Sequence, residues 1–236
     1  MTEIIKQRIK QDNTISFAQF MHMALYEPGL GYYSTGTHKF GEDGDFVTSP
    51  ELGDLFAKCL AHQFKQVLTT LKSPTIMELG AGTGQFCCDC LLELEQQDCL
   101  PEKYYILEVS ADLQHRQLQK ISSLPKSLAE RVEWIQQPPT EKFDGILFAN
   151  EVIDALAVEI FKFDEKEFKQ LRIGFGSNFE KKWSKFPVNL EQELRNKNLK
   201  LSNGYESEFI PFLSEWLKTI SDCLNKHDNQ WYRYSD

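Results

Sequence analysis

TIMELGAGTGQF, residues 75–86, joins a short apolar run to three glycines at alternate positions. The run TIMEL predicts a buried strand, and the apolar spacing of residues 85–97 predicts a helix directly after the glycines. Glycines between a strand and a helix let a ligand approach the backbone and the N–H groups of the helix N-terminus. We therefore expect a nucleotide-like ligand on residues 80–84. A tight strand-to-helix turn without a ligand is the alternative.

The same alternation of strands and helices extends on both sides of this stretch. Strands are predicted at 75–79, 104–109, 132–135 and 143–149, and helices at 51–72, 85–97, 110–122 and from Glu151 onward. Strands that alternate with helices indicate a parallel sheet with helices on both faces. Two further helices are predicted within residues 1–27, with Asn13, Thr14 or Ser16 as the cap of the second. Residues 158–186 predict three antiparallel strands, and 206–224 a helix.

The spacing of the glycines indicates which nucleotide-like ligand fits. It is G-x-G-x-G, whereas the dinucleotide fingerprint is G-x-G-x-x-G, and no Walker lysine follows. Glu78 suits a cationic ligand better than a pyrophosphate, and Glu108, 24 residues after Gly84, can accept both hydroxyls of a ribose. A ribose with a cationic amino-acid tail and no phosphate is S-adenosyl-L-methionine. A nicotinamide-dependent oxidoreductase is disfavoured by the spacing.

Composition and charge exclude several other classes of protein. The 236 residues carry a net charge of −9, which argues against a nucleic-acid binder. No stretch approaches 18 consecutive apolar residues, so no membrane span is predicted. The first 13 residues lack the apolar core of a secretory signal and contain Glu3 and Asp12, so we expect a cytoplasmic protein. Six cysteines include the cluster FCCDC, for which buried free thiols are favoured over a metal site.

Several motifs together resemble the MidA family of class I methyltransferases. They are GDFVTSPELGDLF (44–56), MELGAGTGQF (77–86), YYILEVSADLQHRQ (104–117) and FANEVIDALAVEIF (148–161), with LYEPGLGYY (25–33) and NGYESEF (203–209) in support. The resemblance runs from about residue 14 to about residue 224. It implies S-adenosyl-L-methionine as cofactor and a protein-arginine acceptor, because the mitochondrial member of the family is a complex I assembly factor that methylates an arginine. A respiratory or other partner protein would be the substrate.

The resemblance also implies roles for individual residues. Gly80, Ala81, Gly82 and Gly84 would line the methionine portion of the cofactor, with Glu78 near its ammonium group and Glu108 on the ribose. Asn150 and Glu151 would face the methyl group and the acceptor. The lid over the site would contain Asp45, Phe46, Thr48 and Pro50.

The chemistry of a guanidinium acceptor points to an acidic pair. Carboxylates hold a planar guanidinium in bidentate geometry. Glu151 and Asp154, three residues apart on one predicted helical face, could supply that pair. The alternatives are a helix-dipole charge for Glu151 and a solvated surface acid for Asp154.

The predicted fold is a Rossmann-like α/β methyltransferase sheet with N-terminal helices and an antiparallel β insertion. We divide it into an N-terminal helical and loop region (1–72), a cofactor-binding core (73–156), the antiparallel insertion (157–205), and a terminal helix and tail (206–236).

The end of the chain departs from the family pattern. A further strand with an Asp-Tyr-Gly signature is expected after residue 224, whereas the sequence reads CLNKHDNQWYRYSD. The sheet would then be incomplete, with residues 143–149 as an exposed edge that invites pairing with another chain. Two hypotheses follow: an arginine methyltransferase, with shortening putting its activity in doubt, or a non-catalytic cofactor-binding remnant that docks a partner chain.

Overall fold

The computed structural model describes residues 1–34 and 49–225. Its helices are α1 (Thr2–Asp12), α2 (Phe17–Tyr26), α3 (Leu55–Leu68), α4 (Gln85–Gln96), α5 (Ala111–Ile121), α6 (Lys126–Ala129), α7 (Val188–Asn196) and α8 (Leu213–Ser221). Its strands are β1 (Ile15–Ser16), β2 (Thr75–Leu79), β3 (Lys103–Leu107), β4 (Val132–Ile135), β5 (Gly145–Ala149), β6 (Glu159–Asp164), β7 (Glu167–Phe175), β8 (Phe179–Lys185) and β9 (Tyr205–Phe209). Three short 3₁₀ turns are η1 (Tyr32–Ser34), η2 (Ser49–Glu51) and η3 (Ile153–Ala155).

The described chain divides into two compact units. The meander unit contains residues 1–34 and 151–213, and the parallel-sheet unit contains residues 49–150 and 214–225. The chain passes from one unit to the other between Asn150 and Glu151 and again between Leu213 and Ser214.

The parallel-sheet unit is built on the four strands predicted from the sequence. Their order is β4-β3-β2-β5, and every neighbouring pair is parallel. In register, Leu79 at the end of β2 lies between Leu107 of β3 and Ala149 of β5. Because the strands run the same way, their carboxyl ends meet at one edge of the sheet, where open α/β sheets bind their ligands.

One face of this sheet carries the main hydrophobic core. The even-numbered strand residues Ile76, Tyr104 and Ile106 are fully buried there. Helices α3, α4, α5 and α6 all contribute to the same core cluster, so all four pack on this face. The sequence predicted helices on both faces, and these four lie on one. On the opposite face Met77 is buried, while Tyr105 and Leu147 are half-buried.

Strand β5 ends the four-stranded sheet, as the sequence predicted for residues 143–149. The residue two positions before it is nevertheless paired. The N–H of Phe143 donates to the carbonyl of Cys223 at 2.9 Å, and the N–H of Asn225 donates to the carbonyl of Phe143 at 2.9 Å. This parallel bridge joins Phe143 to Leu224 just after α8. Association with another chain along β5 itself stays a prediction.

The meander unit contains the predicted antiparallel strands. β6, β7 and β8 pair in succession, which confirms the three-stranded meander. The helix predicted over 206–224 is wrong in its first part, because Tyr205–Phe209 forms β9 and pairs antiparallel with β6. Only Leu213–Ser221 is helical. The alternating residues of NGYESEF fit a strand at the side of β6, and Phe209 is buried in that unit's core with Phe161 and Phe168.

The N-terminal helices are held to the meander by a two-residue strand. Ser16 caps α2 with both bonds of a capping box: its hydroxyl accepts from the N–H of Gln19 at 3.1 Å, and its own N–H donates to Oε1 of Gln19 at 3.0 Å. Of the three predicted caps, Ser16 is therefore the one used. Ile15 and Ser16 also form β1, which pairs with β7, while Arg172 Nε donates to Thr14 Oγ1 at 2.8 Å.

No helix among residues 1–34 and 49–225 is long and apolar enough to span a bilayer.

Candidate active site

The glycine loop has the backbone that only glycines adopt readily. It runs from the end of β2 to the start of α4, and Gly80, Gly82 and Gly84 have φ of 62°, 54° and 85°. The N–H of Gly84 donates to the carbonyl of Ala81 at 2.7 Å, which closes the turn. A Cβ added to Gly82 would meet no atom within 4 Å. The loop therefore leaves open space beside its backbone, as a bound ligand requires.

A short segment on the N-terminal side is tied to this loop. The hydroxyl of Thr83 donates to Oε1 of Glu51 at 2.5 Å, and Glu51 closes the η2 turn that contains Pro50. This places Pro50, a predicted lid residue, in a segment bonded to the glycine loop. The other predicted lid residues, Asp45, Phe46 and Thr48, lie outside the described residues.

Glu108 follows the end of β3, the strand next to the loop-bearing β2. The residue is 6% exposed, and its carboxyl group accepts from the N–H of Ser110 at Oε1 (2.9 Å) and from the amide of Gln117 at Oε2 (3.1 Å). Burial raises the pKa of Glu108, and these donors, together with the backbone N–H of Val109, oppose that rise by stabilising the ionised form. The geometry suits a carboxylate that presents its remaining lone pairs to hydroxyl donors.

Gln117 joins Glu108 to the glycine loop. This residue of α5 is fully buried, and its amide nitrogen also donates to the carbonyl of Gly82 at 3.0 Å. The indole N–H of Trp134 donates to the amide oxygen of Gln117 at 2.9 Å. The sequence analysis missed Gln117. The signal was a polar residue on the apolar stripe of α5, four residues from Leu113 on one side and from Ile121 on the other.

Glu78 lies at the end of β2 with its carboxyl group buried. Burial raises its pKa to about 7; the hydroxyl of Tyr104, which donates to Oε2 at 2.7 Å, opposes that rise, and the charge of Glu108 adds to it. A carboxyl group with this pKa gains or loses its proton near neutral pH. A cation beside it would favour the ionised form.

The predicted acceptor-side residues fall on both sides of the boundary between the units. Asn150 follows β5 in the parallel-sheet unit, whereas Glu151 and Asp154 belong to the meander unit. The helix predicted from Glu151 is wrong at its start: Glu151 has φ of 50°, and the 3₁₀ turn begins only at Ile153. Since Glu151 stands outside the helical turn, a shared helical face does not pair it with Asp154.

Two tyrosines hold the turn that carries Asp154. The hydroxyl of Tyr26 donates to the carbonyl of Ala155 at 2.7 Å, and the rings of Tyr26 and Tyr33 stack with centroids 5.4 Å apart. Burial raises the pKa of the Tyr33 hydroxyl, and the nearby charge of Asp154 raises it further. The motif LYEPGLGYY (25–33) thus contributes to a packed cluster in the meander unit.

Two other features lie apart from this loop. A cavity of about 340 Å³ is lined by Tyr105 and residues 139–143, near the start of β5 and so at the amino ends of the parallel strands. None of the predicted site residues lines it. Within the described part of the chain, no group of three His, Cys, Asp or Glu side chains could hold a metal ion.

Residues 55–228 match a protein-family model described as "Putative S-adenosyl-L-methionine-dependent methyltransferase". The chain belongs to this methyltransferase family. The match includes the glycine loop, Glu108 and Gln117, and it confirms the MidA-like resemblance and the methyltransferase fold predicted from the motifs.

Members of this methyltransferase family with assigned names are similar in sequence to part of the chain. Mouse protein arginine methyltransferase NDUFAF7 is 34% identical over 99 residues, which are 41% of this chain and 22% of the mouse protein. The Drosophila melanogaster homologue is 30% identical over 131 residues, or 53% of this chain and 30% of the fly protein. The matched region therefore spans less than a third of either relative.

A solved structure covers more of the methyltransferase chain. A crystal structure of a Burkholderia thailandensis protein bound to S-adenosylhomocysteine superposes with a TM-score of 0.85 at 30% identity. The superposition includes 94% of this chain and 59% of the bacterial one. A native crystal structure of an uncharacterised protein from the same organism gives a TM-score of 0.81 at 29% identity.

Proposed function

We propose that this chain binds S-adenosyl-L-methionine on its glycine loop and directs the methyl group to an arginine side chain of a protein. The observation that carries the proposal is the loop itself. Three glycines at positive φ leave space beside Gly82, and the buried carboxylate of Glu108 is linked to that loop through Gln117. The Burkholderia thailandensis structure bound to S-adenosylhomocysteine supports the choice of cofactor.

The residues present fit this cofactor on chemical grounds. Gly80–Gly84 would hold the methionine portion, Glu78 would face its ammonium group, and Glu108 would accept from the ribose hydroxyls. The bound cofactor supplies an electrophilic methyl group, so the main task of the protein is to align donor and acceptor. The pKa of Glu78 is raised, and a neighbouring cation favours its ionised form. Glu78 would therefore attract the charged amino-acid tail of the cofactor.

The acceptor is proposed from the names of the relatives and from the acids that follow β5. The mouse and fly proteins are named protein arginine methyltransferases. Glu151 and Asp154 are exposed carboxylates one to four residues after Asn150, and either can contact a guanidinium. A subunit of a respiratory complex is the protein substrate that the resemblance to the mitochondrial family member favours.

Calorimetric titration with S-adenosylhomocysteine tests the cofactor site. Saturable binding by the wild type that is lost in Gly82→Val supports the proposal, because the valine side chain fills the open space. No binding by a folded wild-type chain would overturn it. Gly204→Val is the matched control, since Gly204 also has positive φ with no atom within 4 Å of an added Cβ but lies in the meander unit.

Methyl transfer needs a separate assay. The purified chain is incubated with radiolabelled S-adenosyl-L-methionine and arginine-containing peptides, with lysine-for-arginine peptides as controls. Two results together support the acceptor role of Glu151. The wild type transfers methyl groups to the arginine peptides alone, and Glu151→Gln lowers this transfer at least tenfold while its affinity for S-adenosylhomocysteine is unchanged. The exposed Glu102→Gln serves as control. Binding without transfer in the wild type would favour the alternative, a cofactor-binding protein that docks a partner.

A further inference from the structure

The amide of Gln117 uses every hydrogen-bonding group on its side chain although it is fully buried. Its nitrogen donates to the carbonyl of Gly82 at 3.0 Å and to Oε2 of Glu108 at 3.1 Å, and its oxygen accepts from the indole of Trp134 at 2.9 Å. An amide offers two N–H donors and one carbonyl oxygen, so the three bonds account for both donors and the acceptor. These partners come from the glycine loop, from the end of β3 and from β4.

The chemistry of its partners fixes the orientation of this amide. The partner on one side, Trp134, can only donate, and those on the other side, the Gly82 carbonyl and the Glu108 carboxylate, can only accept while Glu108 is ionised. If the amide group were turned by about 180°, its NH₂ group would face the indole N–H of Trp134, which is also a donor. Its oxygen would then face the two acceptors. Helix α5 also approaches the loop closely: a Cβ on Gly84 would stand 3.4 Å from Cα of Gln117.

The carboxylate of Glu108 is thereby held on both of its oxygens. Ser110 N–H holds Oε1 and Gln117 holds Oε2, while the side chain of Gln114 donates to the Glu108 carbonyl at 2.6 Å. The backbone N–H of Val109 also stabilises the ionised carboxyl group, so donors of the protein fix the orientation of both oxygens. Two hydroxyl donors on adjacent carbons, as in a ribose, match two oxygens fixed in this way.

We propose that Gln117 is a positioning residue. It holds Glu108 and the glycine loop at the distance from one another that lets Glu108 accept from both hydroxyls of a ribose. The inference rests on the proposed cofactor site and adds a residue and a selectivity to it. Gln117 acts through Glu108 and Gly82 and need not touch the cofactor. The ligand class that it selects is an adenosine compound with free 2′- and 3′-hydroxyls over its 2′-deoxy counterpart.

Affinity ratios distinguish this role from a purely structural one. Calorimetry is performed with S-adenosylhomocysteine and with its 2′-deoxyribose analogue on the wild type, Gln117→Met and Gln119→Leu. Methionine keeps the length of the side chain without its polar groups, and Gln119 is exposed on the same helix. We expect the wild type and Gln119→Leu to prefer the ribose compound about tenfold or more, and Gln117→Met to lose most of that preference. A Gln117→Met protein that is folded and keeps the wild-type ratio would overturn the inference.

A ligand-free measurement separates the failure of this inference from the failure of the proposed function. The carboxyl carbon of Glu108 is titrated by NMR in the three proteins without ligand. We expect Gln117→Met alone to raise the pKa of Glu108, because it removes a donor to the ionised form. If the wild type binds no S-adenosylhomocysteine, the proposed function and the ribose selectivity both fall, while a Glu108 shift in Gln117→Met would still show that Gln117 holds Glu108. An unshifted Glu108 would overturn the positioning role even in a chain that binds the cofactor.

Discussion

The hydroxyl of Tyr104 donates a 2.7 Å hydrogen bond to Oε2 of Glu78, and both side chains are buried in the core under α4. Tyr104 belongs to β3 and Glu78 to β2, so the bond crosses between neighbouring strands on the helix-covered face of the sheet. It holds an ionisable carboxyl group on the residue two positions before Gly80, the first glycine of the loop.

This relationship predicts a stability that falls with rising pH. Burial raises the pKa of Glu78 from 4.5 to about 7, so between these values the unfolded chain releases a proton that the folded chain keeps. The folded state then binds more protons, and its stability is full below about pH 4.5 and declines until about pH 7. Relative to Glu78→Gln, the wild type should lose about 3 kcal/mol of unfolding free energy across that window.

Urea unfolding at several pH values measures this difference, with exposed Glu102→Gln as the control for losing one charge. Tyr104→Phe removes the donor that lowers the pKa of Glu78, so its decline should extend to higher pH. Parallel pH profiles for the wild type and Glu78→Gln would contradict the prediction.

Gly82→Ala should separate binding from stability. The positive φ of 54° strains any other residue, and the loss should be about 1–2 kcal/mol of unfolding free energy because no atom opposes the new Cβ. S-adenosylhomocysteine affinity should fall by about tenfold or more, since the methyl group enters the space left for the ligand. Thermal melting and calorimetry measure the two effects. Gly204→Ala should lose similar stability with unchanged affinity, and an equal loss of affinity in both variants would count against the prediction.

Gly145→Ala should destabilise the sheet much more strongly. A Cβ at Gly145 would stand 1.7 Å from the carbonyl oxygen of Thr75, where β5 and β2 come together. Backbone cannot yield as a side chain can, so we expect a loss of about 3 kcal/mol or more, or no folded protein. Gly176→Ala is the control, because its Cβ would meet only the flexible end of Glu180. Near-equal denaturation midpoints for the two variants would refute this expectation.

Ser16→Ala should destabilise the meander unit by about 1–2 kcal/mol. The substitution removes the hydroxyl that accepts from the N–H of Gln19, while leaving the short strand β1 in place. Ser122→Ala, at an exposed helix end in the other unit, should have little effect. Denaturant midpoints compare the two variants, and a neutral Ser16→Ala would show that the cap is dispensable.

Much of the parallel-sheet unit was predictable because its strands are apolar runs and its helices carry regular stripes. TIMEL and GILFA could be placed without knowing their partners, and the glycine loop followed from its position between a strand and a helix. The strand β1 could not be predicted, since two residues gain their conformation only by pairing with β7, far along the chain. Residues 205–209 alternate, but five residues are too few to exclude a helix until β6 lies beside them.

The proposed site residues come from motif positions, whereas the hydrogen bonds that connect them could not be predicted. Glu78, Glu108 and the glycines stand at motif positions, so chemistry identified them. The role of Gln117 depends on its hydrogen bonds to Gly82 and Trp134. Sequence spacing gives no indication that these residues are in contact. Glu151 was placed on a helix because its neighbours favour one, but its φ of 50°, two residues after the end of β5, is not helical.

The buried cysteines of α4 can be used to measure how often this helix separates from the sheet. Cys87 and Cys90 are fully buried and burial raises the pKa of both thiols well above 9, whereas Cys59 is exposed. The thiolate is the form that attacks alkylating reagents, so these two residues react only while α4 is separated from the sheet. Once Cys59 is replaced by serine and mass spectrometry identifies each labelled thiol, the rate at which Cys87 and Cys90 are labelled reports how often the helix behind the glycine loop opens.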